Sequence, residues 1–393
     1  MPSSVMPIYA PAPVTPVSGE GAWLIEADGT RWLDCIGGVA TNALGHCHPA
    51  LVAALTDQAA RLWHVSNAVR IAGQETVAAK LTGSCFADLA FFCNSGTEAV
   101  EAALKMARRY HASRGAAERT DVVGFHGSFH GRTYAAINAA GNRAYLDGFG
   151  PALPGYLHVP IDDHPAFGAA VARPSTAAVI VEPVQGEGGA RALAGVDLLR
   201  IRRLCDAHGV LLIHDEVQSG MGRTGRLFAH QWFDGAAPDI MAVAKALGGG
   251  FPVGACLATR DAASGMTTAA HGSTFGGNPL AMAVANAAFD ILSNPATLAH
   301  AREVAAHLRE GLATLLGDVV LELRGKGLLI GLKLAVNNKA FIAAARAHHL
   351  LLSGCGDNCA RILPPLTLST AEADMVIDRV AATCRDQAWA EAA

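Results

Sequence analysis

Short apolar runs alternate with amphipathic stretches from about residue 73 to residue 290. In the amphipathic stretches, apolar positions recur at intervals of three and four, whereas short apolar runs bounded by polar residues are typical of buried strands. We predict helices at GQETVAAKLTG, TEAVEAALKMARRYHASRG, VDLLRIRRLCDAHG and NPLAMAVANAAFDILSNP, and strands at DLAFFCN, DVVGF, AAVIVEP, VLLIHD, IMAVA and VGACLA. This alternation predicts an α/β fold with a mostly parallel sheet covered by helices.

The pattern differs at the two ends of the chain. Near the N-terminus, GAWLIEADGTRWLDCIGG predicts a hairpin around Asp28-Gly29. Towards the C-terminus, VVLELRGKGLLIGLKL indicates a strand pair, KAFIAAARAHH a helix, and the segment from Thr370 towards Asp386 a last helix. We therefore expect a large domain (46–294), a small α+β domain (295–393), and an N-terminal arm and hairpin (1–45) that joins the small domain.

The stretch from Val210 to Val253 carries two charged groups at the ends of predicted strands. One apolar run leads to Asp215, and thirty residues later a second run leads to Lys245 and three glycines. Open α/β sheets bind their ligands at such strand ends. Since no acidic residue lies between Asp239 and Asp261, we expect desolvation to lower the pKa of Lys245 and make it the nucleophilic amine that Schiff-base chemistry requires. The alternative is an ordinary lysine at a strand end.

Composition excludes several classes of protein. Charged residues make up 16% of the chain and hydrophobic residues 51%, and the formal net charge is −4. This balance gives no reason to expect nucleic acid or a membrane as a partner. Nine cysteines are scattered without a disulfide framework, and Cys355 and Cys359 have no second Cys or His pair at zinc spacing. With no signal peptide at the N-terminus, we expect a soluble cytoplasmic protein with reduced thiols.

Two glycine-containing segments are candidate phosphate sites. FFCNSGTEA is a strand, a turn and a helix start, so its free N–H groups suit a phosphate, unless Ser95 or Thr97 simply caps the helix. Gly220-x-Gly222-x-x-Gly225 matches the dinucleotide pattern of NAD-dependent oxidoreductases. However, it lies five residues beyond the strand end and precedes only a weak helical pattern. We interpret it as a flexible glycine loop.

Other polar groups are ambiguous when taken singly. Glu182 and Glu187 could form an acid/base pair or be solvated loop carboxylates. His126 and His130 are spaced like metal ligands on a helix, but a glycine follows each of them, so we expect no metal site. HGSTFGGNP is a further possible phosphate contact, and Arg361 alone indicates nothing.

Taken together, the motifs resemble the class III pyridoxal-phosphate-dependent aminotransferases, most closely their acetylornithine aminotransferase branch, over nearly the entire chain. The segments that carry the resemblance are PIYAP, LGHCHP, NSGTEAVEAALKMAR, FHGRT, VEPVQGEGG, DEVQSGMGRTG, AKALGGGFPVGA, HGSTFGGNPLA, RGKGLLIG and RILPPL. The combination of DEVQ, a lysine thirty residues later and HGSTFGGNP is highly specific. The resemblance implies a fold-type I aminotransferase. Its large, cofactor-binding domain would contain a mostly parallel sheet of about seven strands covered by helices.

The resemblance also implies how pyridoxal 5'-phosphate is bound. Lys245 would hold it as a Schiff base and shuttle a proton, and Asp215 would pair with the pyridinium nitrogen. Phe129 and Val217 would contact the two ring faces, and Gln218 would lie near the phenolic oxygen. The implied cofactor-binding residues are Ser95, Gly96, Thr97, Phe129, Asp215, Glu216, Val217, Gln218, Lys245 and Thr274, the last contributed by the neighbouring subunit of a homodimer.

The same resemblance implies a substrate class. Arg132 and Arg361 would bind substrate carboxylates, because guanidinium offers a bidentate fork. Glu187 would pair with Arg361 while an amine donor is bound and move aside for 2-oxoglutarate, and Ser273 would contact the acyl group. These positions imply transamination of N2-acetylornithine with 2-oxoglutarate in arginine biosynthesis. Succinylornithine, ornithine, 4-aminobutyrate and succinyl-diaminopimelate remain alternative donors, and a regulatory protein that has lost catalysis remains a non-enzymatic alternative.

Overall fold

Residues 4–386 are described by a computed structural model of the chain. The first three and last seven positions of the predicted terminal domains lie outside this range. The strands are β1 (Pro16–Glu20), β2 (Trp23–Glu26), β3 (Arg31–Asp34), β4 (Leu89–Cys93), β5 (Asp121–Phe125), β6 (Tyr156–Val159), β7 (Thr176–Val181), β8 (Val184–Gln185), β9 (Arg191–Ala192), β10 (Leu211–Asp215), β11 (Ile240–Val243), β12 (Gly254–Ala258), β13 (Val320–Lys326), β14 (Leu329–Leu334), β15 (Leu350–Leu351), β16 (Ser353–Cys355) and β17 (Cys359–Ile362).

The α-helices account for the amphipathic stretches. They are α1 (Gly37–Ala40), α2 (Pro49–Ala59), α3 (Ala72–Thr82), α4 (Gly96–Ala112), α5 (Tyr134–Ala139), α6 (His164–Val171), α7 (Gly195–His208), α8 (Pro279–Leu292), α9 (Pro295–Ala313), α10 (Asn338–Ala345) and α11 (Thr370–Asp386). Short 3₁₀ turns occur at Arg143–Tyr145, Ala229–Trp232, Lys245–Leu247, Ala262–Gly265 and Arg346–His348. None of the helices within residues 4–386 combines the length and apolar character that a membrane crossing requires.

The central sheet has seven strands in the order β4-β12-β11-β10-β7-β5-β6. Only β12 runs antiparallel to its neighbours. This confirms the predicted mostly parallel sheet. Its middle strands are buried along their whole length, because helices cover both faces.

Successive residues of β10 pack against different helices on the two faces of the central sheet. Ile213 packs in one apolar cluster with Ala99 and Ala103 of α4, whereas Leu212 packs in another with Leu198 of α7. Neighbouring side chains of a strand point to opposite faces of the sheet, so the helices on each face contact every second residue of β10. The strand is thereby held from both sides, and its polar end at Asp215 is placed at one edge of the sheet.

Two smaller sheets complete the described chain. β13, β14, β17 and β16 form an antiparallel sheet, and β1, β2, β3 and β15 form the other. In the second sheet Leu33 of the N-terminal hairpin pairs in parallel with Leu350 near the C-terminus. This pairing joins the hairpin to the C-terminal part of the chain. The division into domains stays a prediction.

The glycine loop at 220–225 is packed inside the protein, so the expectation of a flexible loop was wrong. Met221, Arg223 and Thr224 are at most 1% exposed. The Arg223 guanidinium donates through Nη1 to the carbonyls of Leu328 (3.1 Å) and Pro364 (2.5 Å). Buried carbonyl groups need hydrogen-bond donors, and Arg223 is the donor for these two. Because the three residues are far apart in the sequence, local pattern could not predict this contact. The loop leads into a four-residue 3₁₀ turn and not an α-helix, which agrees with rejecting a dinucleotide site.

Candidate active site

A cavity of about 400 Å³ opens where β10 and β11 end. Ten of the fourteen residues predicted from the sequence line it, namely Ser95, Gly96, Thr97, Phe129, Arg132, Glu187, Asp215, Val217, Gln218 and Lys245. Arg361 lies directly behind Glu187 and Gln218. The remaining three, Glu216, Ser273 and Thr274, do not line it.

Asp215 and Lys245 meet because their strands are parallel neighbours. Asp215 is paired in register with Ala242 of β11, and Lys245 follows three residues later. The backbone at Lys245 has a φ of 43°, in the left-handed region that L-residues rarely adopt. Such strain is common at functional sites, where the surrounding fold holds a residue in place.

The Lys245 amine has no hydrogen bond or ion pair to any side chain within residues 4–386. Burial lowers its pKa from the ordinary 10.5 to about 8, although the nearby Glu187 and Asp215 carboxylates oppose that shift. The desolvated amine expected from the sequence is therefore present. A substantial fraction of Lys245 is neutral near pH 8, as a nucleophile needs to be.

His130 and Glu182 surround Asp215, and the sequence did not indicate this arrangement. His130 Nδ1 lies 2.8 Å from Asp215 Oδ2, and the Val217 N–H donates to Asp215 Oδ1 (3.0 Å). Burial opposes charge on His130, but the hydrogen bond to Asp215 and the negative charges of Asp215 and Glu182 together outweigh burial and raise the histidine pKa. Burial raises the pKa of Glu182 to about 8. His130 and the Val217 N–H thus hold the two oxygens of the Asp215 carboxylate from two sides.

Glu182 and Glu187 do not act as a pair. Glu182 accepts hydrogen bonds from the N–H groups of Phe129 (2.8 Å) and Gly186 (3.2 Å). Glu187 instead pairs with Arg361. The two carboxylates have separate partners, so neither is positioned by the other.

At the other end of the cavity lies the N-terminus of α4. Ser95 caps this helix, since its hydroxyl accepts from the Glu98 N–H (3.3 Å). Gly96 has no room for a side chain, because a Cβ there would lie 2.6 Å from Val217 Cγ1. Thr97 Oγ1 accepts from the Arg132 N–H (3.2 Å). Ser95 is therefore a helix cap. Within residues 4–386 the N–H groups of Gly96 and Thr97 have no hydrogen-bond acceptor, so the phosphate site at this helix end stays a prediction.

Aromatic rings hold Arg132 at the mouth of the cavity. Its guanidinium lies 4.3 Å from the Tyr145 ring centre and 5.4 Å from that of Phe129. The two rings meet edge to face at 5.7 Å. No carboxylate of the described residues forms an ion pair with this exposed guanidinium, so it can bind one from solution. The sequence did not identify Tyr145.

Arg361 on β17 is 2% exposed and bonded on several sides. Nη1 donates to Glu187 Oε1 and to Gln218 Oε1 (3.4 Å), and Nη2 donates to the Gly354 carbonyl (3.3 Å). The Glu187 side chain is 26% exposed, against 3% for Arg361. Of the two partners, the carboxylate is therefore the one that can turn into solvent.

Three predicted residues lie away from the cavity. Glu216 faces the other way and accepts from the N–H groups of Ala229 (2.5 Å) and His230 (3.0 Å). It comes near His214 and His230 at ligand-like distances, but because its oxygens already accept backbone hydrogen bonds we assign no metal there. Ser273 Oγ accepts from Nδ2 of Asn94 (3.2 Å), a residue that does line the cavity, and Thr274 is exposed.

Comparison with known proteins places this chain in one family. The class-III aminotransferase model matches residues 6–384. Acetylornithine aminotransferase 2 of Caulobacter vibrioides is 58% identical over 383 residues, which cover 97% of this chain and 95% of that protein. The solved N-acetylornithine aminotransferase of Stenotrophomonas maltophilia is 36% identical with a TM-score of 0.84, covering 96% of each chain. The ornithine aminotransferase of Toxoplasma gondii is 32% identical with a TM-score of 0.92, covering 97% of this chain and 92% of that one. The chain therefore belongs to the class-III aminotransferases, which depend on pyridoxal 5'-phosphate.

Proposed function

We propose that this protein transaminates N2-acetylornithine with 2-oxoglutarate, giving N-acetylglutamate 5-semialdehyde and glutamate, a step of arginine biosynthesis. The observation that carries the proposal is one cavity lined by the Lys245 amine, the buried Asp215 carboxylate and Glu187, with Arg361 paired to Glu187 behind it. Relatives named acetylornithine aminotransferase over nearly the whole length support the choice of donor.

The residues present fit pyridoxal 5'-phosphate. The N–H groups of Gly96 and Thr97 suit the phosphate, and a Cβ at position 96 would clash with Val217. Asp215, 5% exposed, suits a protonated ring nitrogen. When bound, the cofactor supplies an electron sink for the substrate carbon that bears the amine. We assign Phe129 and Val217 to the ring faces and Gln218 to the phenolic oxygen; Ser95 and Glu216 support the site as a helix cap and a loop anchor.

Lys245 is the residue we assign to holding the cofactor covalently. Its Nζ, when free, is also placed to take the proton from the substrate carbon that bears the amine. A base works best when its pKa lies near the working pH, and burial lowers the pKa of Lys245 to about 8.

We assign to Asp215 the task of holding a proton on the ring nitrogen. The hydrogen bonds from His130 and from the Val217 N–H orient its carboxylate for this task. His130 is thus a positioning residue that acts through Asp215.

Arg361 and Glu187 explain how one pocket can accept two kinds of amine. With acetylornithine bound through its terminal amine, Glu187 stays on Arg361 and neutralises it. With glutamate bound, the α-carboxylate of that substrate replaces Glu187, whose partly exposed side chain moves into solvent. We assign Arg132 to the distal carboxylate and Ser273 to the acyl group.

We further propose a cytoplasmic homodimer with shared active sites. Trp63 and Phe275 are 64% and 58% exposed in the single chain, and Thr274 lies beside Phe275. Large exposed apolar side chains mark contact surfaces, and a second copy seated there would bring Thr274 to the phosphate of its partner.

A panel of donors with 2-oxoglutarate tests the assignment. We expect the kcat/KM for acetylornithine to exceed those for succinylornithine, ornithine and 4-aminobutyrate. The acetyl and succinyl donors should differ least, since one contact discriminates by only about 1–3 kcal/mol. Equal or better activity on free ornithine would refute the proposed donor, and no turnover of any amine would indicate a protein that has lost catalysis.

A further inference from the structure

The hairpin that carries Arg361 also carries two facing cysteines. Cys355 ends β16 and Cys359 begins β17, and the two are directly paired in antiparallel register across the loop 356–358. Directly opposed residues of antiparallel strands have Cα atoms about 4.5–5.5 Å apart, which lies within the roughly 4.4–6.8 Å range of disulfides. The strand pairing therefore places the two cysteines within the range that a disulfide can span.

The two thiols differ in chemical character. A hydrogen bond from the Cys355 thiol lowers the pKa of Cys359 to about 7, and raises the pKa of Cys355 itself. The Arg324 guanidinium lies 3.8 Å from Cys359 Sγ and also favours its thiolate form. Burial instead raises the pKa of the thiols of Cys35, Cys85, Cys93, Cys205 and Cys256. Since the thiolate is the reactive form, Cys359 is better prepared for oxidation than these five thiols.

The pair lies near the protein surface. Cys355 is half-buried, and Gly354, Gly356 and Asp357 around it are exposed. Cys359 is itself buried, which favours a small oxidant over a bulky disulfide. A hydroperoxide is the chemical class that satisfies both conditions.

We propose that Cys355 and Cys359 are a redox-active dithiol that a hydroperoxide converts into an intrachain disulfide, and that this bridge acts on Arg361. The Cys359 sulfur attacks a peroxide oxygen, the O–O bond breaks, and with hydrogen peroxide the leaving oxygen departs as water. The Cys355 sulfur then attacks the resulting sulfenic acid, an S–S bond forms, the S–O bond breaks and a second water leaves. The two thiols lose two electrons and two protons, and the peroxide is reduced.

The hairpin transmits this change to the substrate site. The Gly354 carbonyl accepts from Arg361 Nη2 (3.3 Å), and the Gly356 N–H donates to the Glu187 carbonyl (2.8 Å). Asp357 at the tip is held by three cations, Arg191, Arg324 and Lys333. Formation of the disulfide draws the two sulfurs to bonding distance and twists the loop 356–358. Because the tip of this loop is held in place, the twist displaces the hydrogen bonds of Gly354 and Gly356. This functional part rests on the role proposed above for Arg361 and Glu187.

Peptide mass mapping of the holoenzyme tests the chemistry without any activity measurement. After treatment with hydrogen peroxide, the peptide that contains both cysteines should lose two hydrogen masses and regain them with dithiothreitol. Cys355→Ser and Cys359→Ser should prevent this change, whereas Cys384→Ser, at another half-buried thiol, should leave it intact. Oxidation of the wild type only to sulfinic or sulfonic acid, or no oxidation of this pair, would overturn the proposal.

Half-reaction kinetics test the link to Arg361. In the oxidised wild type we expect kcat/KM for glutamate to fall roughly tenfold, the loss expected when one charge-assisted contact is misaligned, with recovery after dithiothreitol. Cys359→Ser should keep the same kcat/KM with and without peroxide. A disulfide that leaves kcat/KM for glutamate unchanged would overturn the link. A reduced enzyme that forms the disulfide yet turns over no amine would instead overturn the proposed function and support the dithiol chemistry.

Discussion

Glu187→Gln should separate the two half-reactions. The change keeps the size of the side chain but removes the charge that neutralises Arg361, whose guanidinium is almost completely buried. With acetylornithine bound, the guanidinium would then lack an anionic partner. With glutamate bound, the substrate supplies its own carboxylate, so that half-reaction does not need Glu187.

The expected size of the effect follows from the burial of the pair. Two unit charges about 3 Å apart interact by about 5 kcal/mol at an effective dielectric constant near 20, and breaking a fully buried pair costs about 3–5 kcal/mol. Glu187 is 26% exposed, and Gln218 and Gly354 still accept from Arg361. We therefore expect a loss of about 1–3 kcal/mol, or roughly 5- to 150-fold.

Single-turnover absorbance measurements with each amine give the two values of kcat/KM. We expect kcat/KM for acetylornithine to fall within that range, and kcat/KM for glutamate to change less than about threefold. Asp290→Asn is the matched control, because it removes one charge from the exposed Lys80–Asp290 ion pair and should change neither half-reaction. Equal losses with both amines would refute the exchange of partners at Arg361.

Four further predictions test the remaining assignments. Lys245→Ala should abolish covalent, reducible attachment of the cofactor, measured by mass after borohydride treatment, whereas Lys339→Ala at an exposed site on α10 should retain it. Because the fold lowers the pKa of Lys245 from 10.5 to about 8, the unfolded chain binds more protons between these values. The stability of the wild-type apoprotein relative to Lys245→Ala should therefore rise with pH from about 8 to 10.5, and a flat difference in chemical unfolding would contradict the burial argument. Asp215→Asn should lower kcat roughly 10²–10³-fold, the loss typical of a removed electrostatic partner, and an unchanged kcat would exclude its role. Gly96→Ala should weaken cofactor binding in titrations roughly tenfold, because its Cβ would meet Val217; added Val217→Ala should restore binding, and failure to do so would place the conflict elsewhere.

Much of the fold was predictable because each element depends on neighbouring residues. Apolar runs predicted β7, β10, β11 and β12, and helical periodicity predicted α4, α7 and α8. The hairpin around Asp28-Gly29 and the pair β13–β14 also follow from local pattern and turn residues. What local pattern could not show is that β12 runs antiparallel, since strand direction is decided by how the sheet assembles.

The site was predictable only in part. Strand ends drew attention to Asp215 and Lys245, and family resemblance supplied most of the remaining lining residues. His130, Glu182 and Tyr145 acquire their place only through contacts with Asp215, the Phe129 N–H and Arg132. Glu216 is the opposite case, a residue that the sequence predicted in the site but that the structure does not place there. Its neighbours line the cavity, while its own side chain anchors the 3₁₀ turn at Ala229–Trp232.

The sequence by itself determined the α/β class, the family and the pair of groups that define the chemistry, because periodicity and linear motifs are local properties of a chain. Only the tertiary structure decided that Asp215 and Lys245 face one cavity, that the 220–225 loop is buried, and that Cys355 and Cys359 lie opposite each other behind Arg361. These outcomes depend on sheet order, register and burial. Such properties arise from contacts between distant residues, and those contacts determine which charges are desolvated and which are paired.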